Sequence, residues 1–507
     1  MTTSRHARLA ALLLLSAALR VPAVSAQPAR VPSADELMQT GVSLELARHR
    51  AATLSEIRYL IDLDVTARDS ATGVVFVDVT RTADAGDLVL DFRGPRLGTI
   101  RVGGDDSVTV TDAEWRNGHV RIPARWLAPG PNLLEVEFTA RIAPAGASII
   151  RFDDATDGAT YLYTLLVPAD ANQLFPSFDQ PDLKAGFRFT IDAPREWKVL
   201  TNGTVRTLDD RADPWRHSFR MTQPISTYLA AFAAGPWHRW HSEDEAGSRP
   251  INLYARASRA DEVDADTLMA INRRAIGWLE RYFEVEFPFA KFDMLLAPAF
   301  PFGGMEHVGA VFYNENTFVF REPPTLGQVI SRKSTIYHEV AHQWFGDLVT
   351  MRWFDDLWLK EGFSTYMAAR MQDELDPGSE AWKTFYLRNK PLAYATDQTA
   401  GTTPVWQELP NLDLAKSNYG PIVYNKAPAI LKQLEAIVGD SAFRAGMTLF
   451  LRRHAYGNAT WQELLAALEE ASGVDLERFG EQYILRAGMP VVETDLEVRD
   501  GRIQRLA

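Results

Sequence analysis

The stretch His338-Glu339-Val340-Ala341-His342, followed after eighteen residues by Glu361 in Trp358-Leu359-Lys360-Glu361-Gly362, decides how the rest of the chain is read. On a helix, two histidines four positions apart are offset by about 40° and project from the same side, one turn apart. Their imidazole nitrogens then face a common point, where a single zinc ion can take both. Glu339 is rotated away from the ligands but stays close enough to handle a water on the metal, as a general base. A carboxylate from a second helix, Glu361, supplies the third ligand and leaves the fourth position open. That open position separates a catalytic zinc from a structural one.

A pair of buried structural histidines is the alternative, and the helix pattern argues against it. Ile336, Val340 and Trp344 form an apolar stripe at i, i+4 and i+8, and His338 and His342 lie about 200° round from it. The pattern predicts a helix that buries one side and presents its histidines towards a cleft.

At 507 residues the chain is long enough to bury several cores. Its 46% hydrophobic and 23% charged residues are ordinary for a soluble globular protein. A net charge of −13 argues against a nucleic-acid partner. The chain has no cysteine, so disulfides, thiol nucleophiles and thiolate metal sites are excluded and any metal must rest on His and carboxylates. At the N-terminus, Arg5, His6 and Arg8 precede an apolar run from Leu9 to Leu19, and Val24-Ser25-Ala26 offers a small-x-small cleavage site. Residues 1–26 therefore read as a signal peptide. The run is too short to span a bilayer, and no later stretch reaches about twenty apolar residues. The mature chain is expected to be exported, periplasmic or secreted, with no stable membrane span.

Residues 27–41 read as a loose leader, and residues 42–236 as a β domain. Leu134, Val136, Phe138, Ala140 and Ile142 alternate with polar residues, as do Phe187, Phe189 and Ile191, with Asn117-Gly118, Pro129-Gly130 and Asn202-Gly203 as turn signals. An antiparallel sandwich or saddle is expected. Residues 237–488 change character. Helical periodicity covers 258–283, a strand is expected over 291–297, the metal helix over 326–345 and a second helix over 355–374. Further helices are expected over 424–438, 441–454 and 460–472, the last opened by the capping box Thr460-x-x-Glu463. Residues 491–498, the turn signal Asp500-Gly501 and residues 502–507 read as a hairpin. Residues 489–507 are expected to begin a further β domain that is cut short. The fold class is thus α+β and multidomain.

Taken together these residues resemble the M1 family of gluzincin zinc aminopeptidases, which includes aminopeptidase N and leukotriene A4 hydrolase. The resemblance rests on His338–Asp347 with Trp358–Phe363, on Phe175-Pro176-Ser177-Phe178-Asp179-Gln180-Pro181 with Lys184-Ala185, on Gly303-Gly304-Met305-Glu306-His307, and on Tyr424-Asn425-Lys426-Ala427. It implies a saddle-like β domain, a thermolysin-like catalytic domain with one zinc, and peptide substrates with a free N-terminus. It also implies that Gly303, Gly304, Met305, Glu306 and His307 bind substrate, Glu306 gripping the α-amino group, and that the Tyr424 hydroxyl stabilises the oxyanion. Tyr419 is a weaker candidate nearby, read as a packing residue. Gly303 and Gly304 would let a substrate backbone approach closely. Two departures stand out: His307 replaces the family's Asn, and Leu165 and Val167 occupy positions where relatives carry Gln or Glu. A weaker amine anchor and an apolar first pocket are expected. An endopeptidase or another zinc hydrolase on the same scaffold is the competing enzyme reading, and a non-catalytic peptide-binding module the third.

Overall fold

The structure, a computed structural model, describes residues 33–242, 250–490 and 493–507. The expected signal peptide, residues 27–32 of the expected leader and the first two residues of the expected strand over 491–498 lie outside the described residues.

Alternating apolar side chains build the first domain. Ser70–Arg81 pairs antiparallel with Leu54–Asp64 on one side and with Gly130–Ala143 on the other, from Ser70 opposite Arg141 to Arg81 opposite Gly130. Leu134, Val136, Phe138, Ala140 and Ile142 all turn into the core. These strands belong to a 12-stranded sheet whose last member in sequence is Phe232–Gly235. Two of its seams are parallel where antiparallel pairing is expected. Leu54–Asp64 lies parallel to Gly186–Ala193, and Ile142 and Ala143 run parallel to Ile149 and Ile150. The strand Gly186–Ala193 returns to the first strand's free edge after a long crossover, the connection that parallel pairing needs.

A second difference lies at the start of the domain, where the stretch read mostly as β opens on a helix, Leu44–Thr53. Ser43 caps it, its Oγ accepting from the Leu46 N–H at 3.1 Å. The helix inserts Arg50, 1% exposed, as a fork onto both oxygens of Asp91 at 2.8 and 2.7 Å, and His119 Nδ1 meets Asp91 Oδ1 at 2.7 Å. Burial alone would push the Asp91 carboxyl up, but Arg50 and His119 outweigh it and hold it below the usual carboxylate range. The helix is tied to the sheet by this buried pair rather than by an apolar stripe.

The second domain is built on a five-stranded sheet in the order His238–Ser242, Ile251–Ala255, Phe292–Ala297, Ala310–Asn314, Gly304–Met305. The three central strands run parallel and both edges antiparallel. Helices cover it. The expected helix over 258–283 divides into a tight turn, Ala257–Glu262, and the helix Ala265–Phe283. The metal helix runs Leu326–His342. It starts at a capping box, Thr325 N–H donating to Gln328 Oε1 at 2.9 Å and Gln328 N–H to Thr325 Oγ1 at 3.3 Å. It ends three residues earlier than expected because Gly346, at φ +124°, turns the chain so that the Asp347 N–H bonds back to the His342 carbonyl. Trp358–Leu375 lies alongside, and Ala427–Val438, Asp440–Arg453 and Trp461–Ser472 follow, the last with Thr460 N–H on Glu463 Oε2 at 2.8 Å. Ala381–Thr384 and Lys390–Asp397 add helix where none is expected.

Two cations are among the groups that join the domains. Arg256 joins Asp154 of the β domain to Glu315 of the second, at 2.6 and 2.5 Å. Lys184, from the signature segment, donates to the Asp347 and Leu348 carbonyls at 2.9 and 3.0 Å, directly behind the metal helix. The terminal hairpin forms as expected, Leu496–Arg499 against Arg502–Leu506, with Asp500 and Gly501 both left-handed at φ 52° and 71°. No helix among the described residues is long and apolar enough to cross a membrane.

Candidate active site

The metal helix brings His338 and His342 to one point, and Trp358–Leu375 brings Glu361 to the same point from its first turn. The two Nε2 atoms are 3.0 Å apart, and each lies 3.3 or 3.4 Å from Glu361 Oε2. Donors at 2.0–2.1 Å from a tetrahedral zinc lie about 3.3–3.4 Å from one another, so the three atoms already form one face of a zinc tetrahedron. The tautomer agrees. His342 Nδ1 donates to the Phe345 carbonyl at 2.9 Å, which leaves its Nε2 lone pair facing the centre. Thr365 Oγ1 lies 3.3 Å from His338 Nδ1 and orients the other ring. The donor set fits zinc.

The electrostatics favour a cation there as well. Burial lowers the affinity of His342 for a proton, but Glu306 and Glu361 outweigh it and raise its pKa to about 9. The field that draws a proton to this ring draws a divalent ion to the same place. Burial pushes the Glu339 carboxyl up to about 8, helped by Glu306 and Glu361; a cation at the triad opposes that push.

Glu306, Glu339 and His342 present donor atoms all within 4.8 Å of one another, so the amine-anchor candidate and the base share the site. Gly304 explains how the base is held. A Cβ at this position would sit 2.5 Å from Glu339 Oε1 and 2.6 Å from its Cδ, so the side chain packs on the bare edge strand. The expected role of Gly304, room for a substrate backbone, is therefore shared with room for Glu339. Gly303 is more open, with Thr335 at 3.6 Å.

Tyr424 sits in a wide helical turn, Ile422–Lys426, of the kind that places one extra residue in a helix and often marks a functional site. Its ring is 6.3 Å from that of His338. Close packing sets this distance: a Cβ on Gly362, next to Glu361, would stand 2.9 Å from the Ala427 Cβ. Burial raises the Tyr424 phenol well above its ordinary pKa, so it is a neutral donor. Val167, Pro168, Met305, Tyr419 and Tyr424 line a cleft of about 700 Å³ over these groups, with Gly303, Gly304 and Glu306 in its wall. Its apolar lining agrees with an apolar first pocket.

His307 is the exception. It is fully buried, its ring edge-on to Phe312 at 4.5 Å, and it is not part of the cleft wall. Glu306 faces the site, whereas the next side chain, His307, turns into the core. Neither ring nitrogen meets a hydrogen-bond partner among the described residues, and burial lowers its pKa to about 3, so the ring is neutral. Leu165 also turns towards the core, whereas Val167 reaches the cleft. The residue that sequence reading missed is Lys360. It is 1% exposed, and its Nζ lies 2.5 Å from Glu306 Oε1 and 3.1 Å from Glu361 Oε1. Its sole local signal is its place next to a ligand.

The same two segments are found in known proteins. Residues 55–229 match the family model of the Peptidase M1 N-terminal domain, and residues 268–483 that of the Peptidase family M1 domain. The chain is 38% identical over 477 residues to aminopeptidase N of Streptomyces lividans, covering 92% of this chain and 54% of that protein. It is 30% identical over 341 residues to the probable aminopeptidase 1 of Sulfurisphaera tokodaii, covering 67% and 43%. With the leucyl aminopeptidase of Saccharolobus solfataricus it shares 29% identity over 364 residues, covering 72% and 46%. The chain spans about half the length of these relatives. Within that span the two matched segments coincide with the β domain and the helical domain whose junction holds the His338, His342 and Glu361 cluster, and the chain belongs to the peptidase M1 family.

Proposed function

We propose that this protein is a zinc aminopeptidase, hydrolysing the first peptide bond of peptides with a free N-terminus. The observation that carries the reading is the placement of Glu306 beside Glu339 and the triad, one buried carboxylate more than a bare hydrolytic site uses. His338, His342 and Glu361 would hold the ion. Bound there, zinc supplies Lewis-acid chemistry, lowering the pKa of a water and polarising a carbonyl. Glu339 removes the proton of the attacking water and carries it to the leaving amine nitrogen. The Tyr424 hydroxyl donates to the carbonyl oxygen as negative charge builds on it. Glu306 accepts from the substrate α-ammonium and so measures one residue from the chain end. Val167, Pro168 and Met305 give the first side chain an apolar surround.

A panel of aminoacyl-4-nitroanilides and their N-acetylated forms tests this. Wild type is expected to prefer the free amine by about tenfold or more, with hydrophobic first residues best, and Glu306→Ala to lose that preference. Equal rates on free and blocked substrates would point instead to an endopeptidase or another hydrolase. On the same panel Tyr424→Phe is expected to lower kcat by about 10²–10³ for every substrate, the usual loss when one oxyanion donor goes. An unchanged kcat would remove Tyr424 from the mechanism.

We further propose that the chain is exported, on the strength of Arg5, His6, Arg8, the apolar run Leu9–Leu19 and the Val24-Ser25-Ala26 site. Sequencing the mature N-terminus tests it: Gln27 is expected, and a chain beginning at Met1 would contradict it.

A further inference from the structure

Lys360 puts an ammonium group on the carboxylate that an incoming substrate ammonium is meant to use. The Lys360 Nζ, 2.5 Å from Glu306 Oε1, is in direct hydrogen-bonding contact with the carboxylate. The lysine cannot swing away into water. It is 1% exposed, its Nζ also lies 3.1 Å from Glu361 Oε1, and it sits 5.0 and 5.6 Å from the ring centres of Tyr228 and Tyr419. Glu306 is itself only 3% exposed, so its charge is balanced from within the protein before any ligand arrives. Val167, in the cleft wall, and Leu165, turned to the core, bring no further carboxylate.

From this geometry we infer that Lys360 is a specificity-determining positioning residue: it competes with the substrate's α-ammonium for Glu306 and lowers the site's preference for charged over uncharged N-termini. The inference rests on the aminopeptidase reading, in which Glu306 is the anchor. Lys360 holds Glu306 Oε1 in place, so the carboxylate stays ordered, and a ligand amine shares a carboxylate already neutralised. A second cation brought to the same carboxylate also meets the repulsion of the first, in a buried place where water screens it poorly. Ligands that differ only in the amine should therefore differ modestly in affinity. The class favoured is apolar: the first side chain in its pocket supplies binding that the amine does not.

The test uses the zinc-loaded protein and two probes, leucine hydroxamate and 4-methylpentanohydroxamic acid, which share the chelating group and side chain and differ only in the α-amine. Calorimetry gives both dissociation constants. On wild type the amine is expected to improve affinity by less than a hundredfold; a larger ratio overturns the inference whatever the variants do. Lys360→Gln keeps a donor near Glu306 and removes the charge. It is expected to raise the ratio about tenfold or more through tighter binding of leucine hydroxamate, the amine-free probe changing by less than about threefold. Lys360→Arg, with the charge restored, should return the ratio to the wild-type value. A ratio unmoved or lowered in Lys360→Gln overturns the inference, and a purely structural role would weaken both probes alike. Failure of the underlying reading looks different: Glu306→Gln would then leave the wild-type ratio untouched.

Discussion

Replacing Glu339 with Gln is expected to lower kcat by about 10³–10⁴ for every substrate, while zinc content and the affinity for leucine hydroxamate stay near those of wild type. The size follows from what the carboxylate does and from how it is held. On the proposed mechanism it takes a proton from the attacking water and returns it to the amine, and an amide oxygen cannot carry that proton. The substitution is nearly isosteric, which matters because Glu339 packs against the bare backbone of Gly304, where a Cβ would stand 2.5 Å from Oε1. Gln fits the same space, so the loss reports chemistry and not collapse. The carboxylate is not a ligand of the His338, His342 and Glu361 set, so the metal should remain. Steady-state kinetics with leucyl-4-nitroanilide, alongside metal analysis, checks this. Activity within about tenfold of wild type would remove Glu339 as the base.

The parts of this site that were legible in sequence are those that one helix or one short motif writes locally. His338 and His342 are one turn apart, and that spacing alone brings both nitrogens to one centre. The start of the last helix could be read because Thr460 and Glu463 are three residues apart, and the terminal turn because Asp500-Gly501 demands two left-handed residues. Glu306 and Tyr424 needed the family resemblance, because nothing near them in sequence speaks of a metal.

What escaped was long-range. The histidines face the expected cleft, but its far wall, Trp358–Leu375, which leaves His342 only 1% exposed, comes from a separate segment. Lys360 meets Glu306 across 54 residues, and Arg50 meets Asp91 across 41. A buried cation is recognisable only when its partner is known, so Lys360 carried no reading of its own and the helix Leu44–Thr53 went unmarked within a stretch read mostly as β. The parallel seam between Leu54–Asp64 and Gly186–Ala193 hides for the same reason: alternation tells which face is buried, not which neighbour is chosen. His307 misled in the opposite direction. A polar residue beside Glu306 suggested a ligand contact, and the ring lies in the core instead, against Phe312.

Metal removal is the second large effect. Without an ion, His338, His342 and Glu361 are three donors 3.0–3.4 Å apart that keep no water acidic near neutral pH, and Glu339 has no activated water to deprotonate. Stripping the protein with a chelator is expected to lower the rate by about 10³ or more, and Glu361→Gln, which takes away the anionic donor, to weaken zinc uptake and activity together. Titrating zinc back into the stripped protein, with binding heat and 4-nitroaniline release followed in parallel, tests the central claim most directly. The account predicts that activity rises with bound zinc and breaks at one equivalent per chain. Full hydrolysis by the metal-free protein, or a wild-type chain that takes up no zinc, would contradict it.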